Sequence, residues 1–154
     1  MDLGLNDLVL RTAVFIGIAV SMVWYERKLL SPGGVVVPGY VAIFLLLRPM
    51  VVFYTLLLAL LTSLLIGLAS RYTILFGRRR FMVTMLVAMT LVFSLEFVSG
   101  LFSDLHPGFQ VVGIIIPGLI ANEVHRQGLL PTFSTLAVVS GITAVVTILI
   151  AGFW

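Results

Sequence analysis

Long apolar runs dominate the chain, and polar residues occur mainly in short clusters between them. Four of the runs are long enough to cross a bilayer as helices, at residues 8–25, 51–69, 82–102 and 133–153. Two shorter apolar runs lie between them, at about 35–47 and 111–122. The pattern predicts an all-α polytopic membrane protein with a single membrane domain over residues 1–154.

The two shorter runs contain the same phrase, VVVPGY at residues 35–40 and IIIPGL at residues 114–119, 79 positions apart. Proline removes a backbone donor and disfavours helix in the residue before it, and β-branched residues favour extended chain. We therefore predict two broken segments, each with an extended stretch, a Pro-Gly turn and a short helix that begins near Tyr40 or Leu119. Extended backbone at membrane depth must be buried in protein or line a wet cavity.

The same shift of 79 aligns the first long run with the third and the second with the fourth. The sequence thus predicts two repeat halves, about 1–75 and 80–154, each with two long transmembrane helices around a Pro-Gly-broken short segment. If the broken segments cross the membrane, the repeat is inverted. The three basic clusters, at 26–28, at 71 with 78–80 and at 125–126, then fall on one side, and Arg48 falls on the other. If they re-enter, the repeat is parallel and two of these clusters are separated. The positive-inside tendency favours the inverted repeat.

Composition agrees with a membrane protein, because 61% of the residues are hydrophobic and only 10% are charged. A soluble protein of this size could not hide so much apolar surface. The formal net charge of +3 is expected mainly as a topology signal. There is no cysteine, which excludes disulfides, thiolate metal sites and cysteine nucleophiles.

Four charged residues in the second half of the chain are candidates for function. Arg78, Arg79 and Arg80 follow one another after a glycine. They are either a cytoplasmic stop signal or a dock for an acidic partner surface or phosphate, since arginine forks match carboxylates and phosphates. Glu96 lies inside the third long run, where an ionisable group is either functional or interfacial.

Three more candidates end the second short run. On a helix, Glu123 and Arg126 share a face, as do Asn122 and Arg126. One interpretation is a helix end with an internal ion pair. The other is a functional polar cluster, which lies at the mouth of a cavity or docks a partner protein. We expect no metal site, no nucleotide motif, no nucleic-acid binding and no complete active site in this chain.

Three groups of residues together resemble a known family. They are VPGY at 37–40; ILFGRR at 74–79 with Phe81; and GIIIPGLIAN at 113–122 with Gln127-Gly128. In order and spacing they are similar to the C subunit of bacterial poly-γ-glutamate synthase, the PgsC/CapC family of capsule biosynthesis. The resemblance covers almost the whole chain, and GIIIPGLIAN is its most specific part.

The resemblance implies a multi-pass protein of the bacterial cytoplasmic membrane that works beside a cytoplasmic ligase, the B subunit. That ligase uses ATP, with Mg²⁺ implied, to activate a chain carboxylate that the next glutamate amine attacks. An outward-facing A subunit and, in some members of the family, a small E subunit accompany it. This chain is then a non-catalytic subunit with no cofactor of its own, and it acts in polymer synthesis and export.

Combined with the residue pattern, the resemblance predicts that broken-helix N-termini hold or guide the polyanionic polymer. The predicted polymer path comprises Pro38, Gly39, Tyr40, Glu96, Pro117, Gly118 and Asn122. The predicted partner-docking residues are Arg78, Arg79, Arg80, Glu123 and Arg126. The alternatives are an independent small inverted-repeat transporter or channel and a membrane enzyme. A homo-oligomer is also expected, because six short segments are few for an enclosed conduit.

Overall fold

The computed structural model describes residues 3–74, 76–99 and 107–152, with side chains described at 11–74, 76–95, 97 and 113–150. The regular secondary structure in these ranges is entirely α-helical. The helices are α1 (Leu3–Lys28), α2 (Val37–Leu47), α3 (Pro49–Tyr72), α4 (Gly77–Ser99), α5 (Pro107–Gln127) and α6 (Leu129–Gly152). Each predicted apolar run corresponds to one helix, so the all-α prediction is confirmed.

Local sequence explains where several helices begin and end. Leu29 ends α1 with a left-handed φ of 56°, and Gly128 ends α5 with a φ of 98°. A left-handed residue after the last turn is a common helix terminator, and glycine adopts it without strain. Pro49 begins α3 directly after Arg48, at a position where a missing backbone N–H costs nothing.

The first Pro-Gly pair starts a helix, but not as predicted. The helix α2 begins at Val37, with Pro38 in its first turn, so the predicted start near Tyr40 was wrong by three residues. Val36 already has helical dihedral angles, with φ of −87° and ψ of −26°, and is not extended. Proline is well suited to a first helical turn, which outweighs the extended preference of the valines.

The second Pro-Gly pair does not break its segment at all. The helix α5 runs continuously from Pro107 to Gln127 with Pro117 inside it. The predicted extended stretch and the predicted helix start near Leu119 were therefore wrong. Pro117 cannot donate to the carbonyl of Gly113, which costs about 3 kcal/mol, but a continuous helix pairs the backbone groups on both sides of that defect.

The chain forms two compact units, which do not coincide with the predicted repeat halves. Unit 1 comprises Met1–Val52 and Gln127–Trp154, and unit 2 comprises Phe53–Arg126. In unit 1, the helices α1, α2 and α6 pack against one another. Unit 2 contains most of α3 together with α4 and α5. The internal repeat stays a prediction.

Small residues let the helices of unit 1 approach closely. Ala13, Gly17 and Ser21 recur every four residues along α1, so they share one face, and all three are buried. A Cβ atom added to Gly17 would lie 2.5 Å from the Cα atom of Gly39 on α2 and 3.5 Å from Thr143 on α6. Such small-residue stripes are typical of helix contacts in membranes, where close packing replaces the hydrophobic driving force.

Candidate functional site

Each Pro-Gly glycine lies at a close contact with another helix of its own unit. A Cβ atom on Gly39 would stand 2.9 Å from the Cα atom of Val14 on α1. A Cβ atom on Gly118 would stand 2.7 Å from the Met85 sulfur on α4. Gly39 is therefore required for packing, because a side chain there would collide with the α1 backbone. A Cβ atom on Gly118 would first meet side-chain atoms of Met85 and Ala88, so that contact is less strict. This role explains the repeated phrase without a break in both helices.

Tyr40, a predicted polymer-path residue, is buried in unit 1. Its exposed fraction is 1%, and its ring centroid lies 4.4 Å from that of Phe44 in a tilted pair. All eight residues from Val37 to Phe44 are buried. In contrast, Val35 and Val36 just before them are exposed, so the chain passes from surface to core as α2 begins.

The irregular segment 29–36 is held by a side chain that sequence reasoning did not select as a site. The Gln127 amide accepts a 3.0 Å hydrogen bond from the Ser31 backbone N–H and donates one to the Ser31 carbonyl. The same amide donates to the Thr132 hydroxyl across 3.2 Å. Ser31 in turn accepts from the Gly34 N–H across 3.2 Å. Gln127 thus fixes the segment that leads into α2.

A second unpredicted contact joins two helices of unit 2. The His125 Nε2 atom lies 2.9 Å from the backbone carbonyl oxygen of Ser63, so the ring donates a hydrogen bond from α5 to α3. A Cβ atom added to Gly67, one turn further along α3, would lie 3.6 Å from the ring carbon Cε1, which is an ordinary contact. No pattern in the sequence indicated this contact.

The three predicted docking arginines occupy the first turn of α4. Arg78 and Arg79 are exposed and Arg80 is half-buried, following the exposed Phe76. The partial positive charge of a helix N-terminus repels cations there, so these arginines do not serve the stability of α4. No ion pair involves them among the residues whose side chains are described. The cluster is electropositive and open to an external anion.

The other predicted polar residues lie mainly on α5. Arg126 and Glu123 form the internal ion pair that their spacing allows, with 3.0 Å between Nη1 and Oε1. Glu123 is 8% exposed, and Asn122 is half-buried. Glu96 belongs to α4, but its side chain lies outside the described residues.

The structure therefore groups the predicted site residues by unit. Unit 1 holds Pro38, Gly39 and Tyr40 in its α1–α2 contact. The remaining predicted residues belong to unit 2: Arg78, Arg79, Arg80, Glu96, Pro117, Gly118, Asn122, Glu123 and Arg126.

Two helices in the described part of the chain are long and apolar enough to cross a membrane. They are α3, from Pro49 to Tyr72, and α6, from Leu129 to Ile150. Only 39% of the most apolar stretch of each is buried inside the protein. Large apolar side chains such as Phe53 and Leu64 on α3 are exposed, and an apolar surface of that kind needs lipid or a partner to cover it.

Comparison with known proteins identifies similar chains. The family model described as capsule biosynthesis CapC matches residues 16–133. A protein of Bacillus subtilis (strain 168) named PGA biosynthesis protein CapC is 35% identical over 133 residues, covering 85% of this chain and 88% of that protein. The capsule biosynthesis protein CapC of Bacillus anthracis is 34% identical over 132 residues, with the same coverage of both chains. No solved structure matches.

Proposed function

Because this chain belongs to the CapC family of capsule biosynthesis proteins, we propose that it is the multi-pass membrane subunit of a poly-γ-glutamate synthase. In this role it anchors the ATP-dependent ligase at the cytoplasmic membrane and guides the polyanionic product across. The match over 85% of the chain to a protein named for PGA biosynthesis is the observation that carries the proposal.

The exposed apolar surface supports a membrane location for the subunit. The helices α3 and α6 each have the length and composition of a span. The 11-residue α2 would cover only about 16 Å alone, roughly half of a bilayer core, so it crosses only together with segment 29–36. Irregular backbone at that depth needs internal partners, and Gln127 supplies them to Ser31.

The arginine cluster supports docking of the ligase. Arg78 and Arg79 are exposed and form no ion pair with any residue whose side chain is described. They lie in the first turn of α4, the helix that follows the candidate membrane span α3. Their planar guanidinium groups suit bidentate pairing with carboxylates on a partner surface. Of the other two predicted docking residues, Arg126 is exposed while Glu123 is mostly buried, so Arg126 is the one able to meet a partner.

The first experiment measures polymer synthesis in membranes. Membranes from cells that make this protein, the cognate ligase, both or neither receive ATP, Mg²⁺ and labelled glutamate, and high-mass polymer is quantified. Polymer that forms only with both proteins supports a synthase subunit. Equal polymer from the ligase alone refutes a role in synthesis and leaves anchoring or export. Absence of polymer in every combination favours the alternative function, an independent transporter, over the synthase subunit.

Docking is tested in the same membranes by the amount of ligase that sediments with them. The double variant Arg78→Ala/Arg79→Ala should release most of the ligase. Arg48→Ala is the matched control, because Arg48 is also exposed and the predicted topology places it on the opposite side. Equal release by both variants, or by neither, contradicts docking at the cluster.

A further inference from the structure

The start of α2 presents hydrogen-bond donors that lack acceptors. The first turn of a helix has N–H groups without intrahelical acceptors. No side chain caps this helix, and Pro38 has no N–H, so the free donors of the first turn are the amides of Val37 and Gly39. A helix N-terminus also carries a partial positive charge.

Two further donors lie on the facing helix. The Ser21 hydroxyl and the Trp24 Nε1 atom are both buried and have no hydrogen-bond partner among the described residues. Ser21 is only 2% exposed. Buried polar groups in native proteins are nearly always paired, so two unpaired donors one turn apart indicate a missing acceptor.

Helical spacing directs these donors toward the start of α2. Ser21 and Trp24 follow Gly17 by four and seven residues, so they share its face of α1. That face meets both α2 and α6, and its closer contact is with α2, because a Cβ atom on Gly17 would lie 2.5 Å from Gly39 and 3.5 Å from Thr143. Along α1, Lys28 lies about 16 Å beyond Gly17. Because Gly39 contacts Gly17, segment 29–36 must run back beside the last turns of α1 before α2 begins at Val37. Ser21 and Trp24 are therefore on the side from which the chain enters α2.

The chemistry of the donors selects the ligand. The indole N–H and the two amides can only donate, and the Ser21 hydroxyl can donate as well. A carboxylate accepts several such hydrogen bonds, which are strengthened by its charge and by the helix dipole. The nearest acidic residue along α1, Glu26, is exposed and lies on a different face from Trp24, so it does not occupy the position.

We propose that Ser21, Trp24 and the first-turn amides of Val37 and Gly39 form a carboxylate-binding site. Resting on the proposed function, the site takes the free α-carboxylates of the γ-linked polymer. The site lies within unit 1, and its polar groups are all hydrogen-bond donors. None of these four residues is charged, so the site binds a carboxylate without an ion pair, which suits a polymer that must move on.

Trp24 is also the reporter for the test. The chain has two tryptophans, so Trp154→Phe leaves Trp24 alone. The purified full-length Trp154→Phe protein in neutral-lipid nanodiscs is titrated with a three-residue γ-glutamyl oligomer while indole emission is recorded. The same oligomer with its carboxylates converted to amides is the neutral control. We expect a saturable emission shift with the acid and none with the amide.

The Ser21 variants decide whether this site is responsible. Ser21→Ala should weaken oligomer binding about tenfold or more, because a hydrogen bond to a charged group is lost. Ser21→Cys keeps the size with a weaker donor and should fall between. Ser94→Ala is the matched control, since Ser94 is exposed on α4 and bonds the Thr90 carbonyl of its own helix; it should bind like the parent.

Three results would overturn the site: no emission shift, an equal shift with the amide, or unchanged binding by both Ser21 variants. Free glutamate that binds as tightly as the oligomer would retain the carboxylate site and refute polymer as its ligand. The assay contains no ligase and no ATP. A negative result here together with ligase-dependent polymer synthesis in membranes therefore rejects the site alone.

Discussion

Replacement of Gly17 by alanine tests the closest helix contact in unit 1. The new Cβ atom would lie 2.5 Å from the Cα atom and 2.6 Å from the N atom of Gly39. Both are backbone atoms, so no side chain can turn away. Favourable carbon–carbon separation is about 3.5–4.0 Å, and the helices must therefore part by roughly 1 Å.

The expected cost follows from two opposing effects. Overpacking at such a contact costs about 3 kcal/mol, at the upper end of the usual range. Alanine returns about 1 kcal/mol through its higher helix propensity. The net destabilisation of about 2 kcal/mol lowers the ratio of folded to unfolded protein about 30-fold.

The measurement is the free energy of reversible unfolding in detergent micelles. Gly141→Ala is the matched control, because Gly141 lies on α6 of the same unit and a Cβ atom there meets nothing within 4 Å. It should gain about 0.5–1 kcal/mol from helix propensity alone. If the two variants were equally stable, the close approach of α1 and α2 would be refuted.

The other predictions use contacts elsewhere in the chain. Gly118→Ala should cost about 1 kcal/mol, less than Gly17→Ala, because the Met85 sulfur can turn away but the Ala88 Cβ atom, 3.1 Å from the new methyl group, must shift. Unfolding in micelles measures this cost. Gln127→Ala should lower the free energy of unfolding by about 1–3 kcal/mol and speed hydrogen exchange of the Ser31 amide at least tenfold. Unchanged exchange would contradict the hydrogen bond from the Ser31 N–H to the Gln127 side chain. His125→Ala should lower the free energy of unfolding by about 1 kcal/mol, because the hydrogen bond to the Ser63 carbonyl on α3 is lost. An unchanged free energy in the same unfolding assay would argue against that bond.

The apolar pattern was sufficient for the helices but not for their contacts. Each of the six helices falls on a predicted apolar run, but the helix of the first short run was predicted to start near Tyr40, three residues after its observed start at Val37. Pro117 misled the prediction, because local proline rules ignore the benefit of a continuous helix that pairs its backbone groups.

The site contacts required tertiary information. Gln127 meets Ser31 across 96 positions, and no periodic pattern in the sequence links an amide to a loop that distant. The spacing of Ala13, Gly17 and Ser21 was visible, but only the structure shows that this face meets Gly39. Ser21 and Trp24 became candidates only when their burial without partners was known.

The discontinuity of unit 1 has a consequence for biosynthesis. A ribosome completes Phe53–Arg126, the whole of unit 2, before it makes the second part of unit 1. The helices α1 and α2 must therefore wait for α6, which packs against both. Because domains tend to fold as they emerge, unit 2 can mature while α1 and α2 are still incomplete. A nascent chain that stalls before Gln127 lacks both α6 and the amide that binds Ser31, so it cannot assemble unit 1.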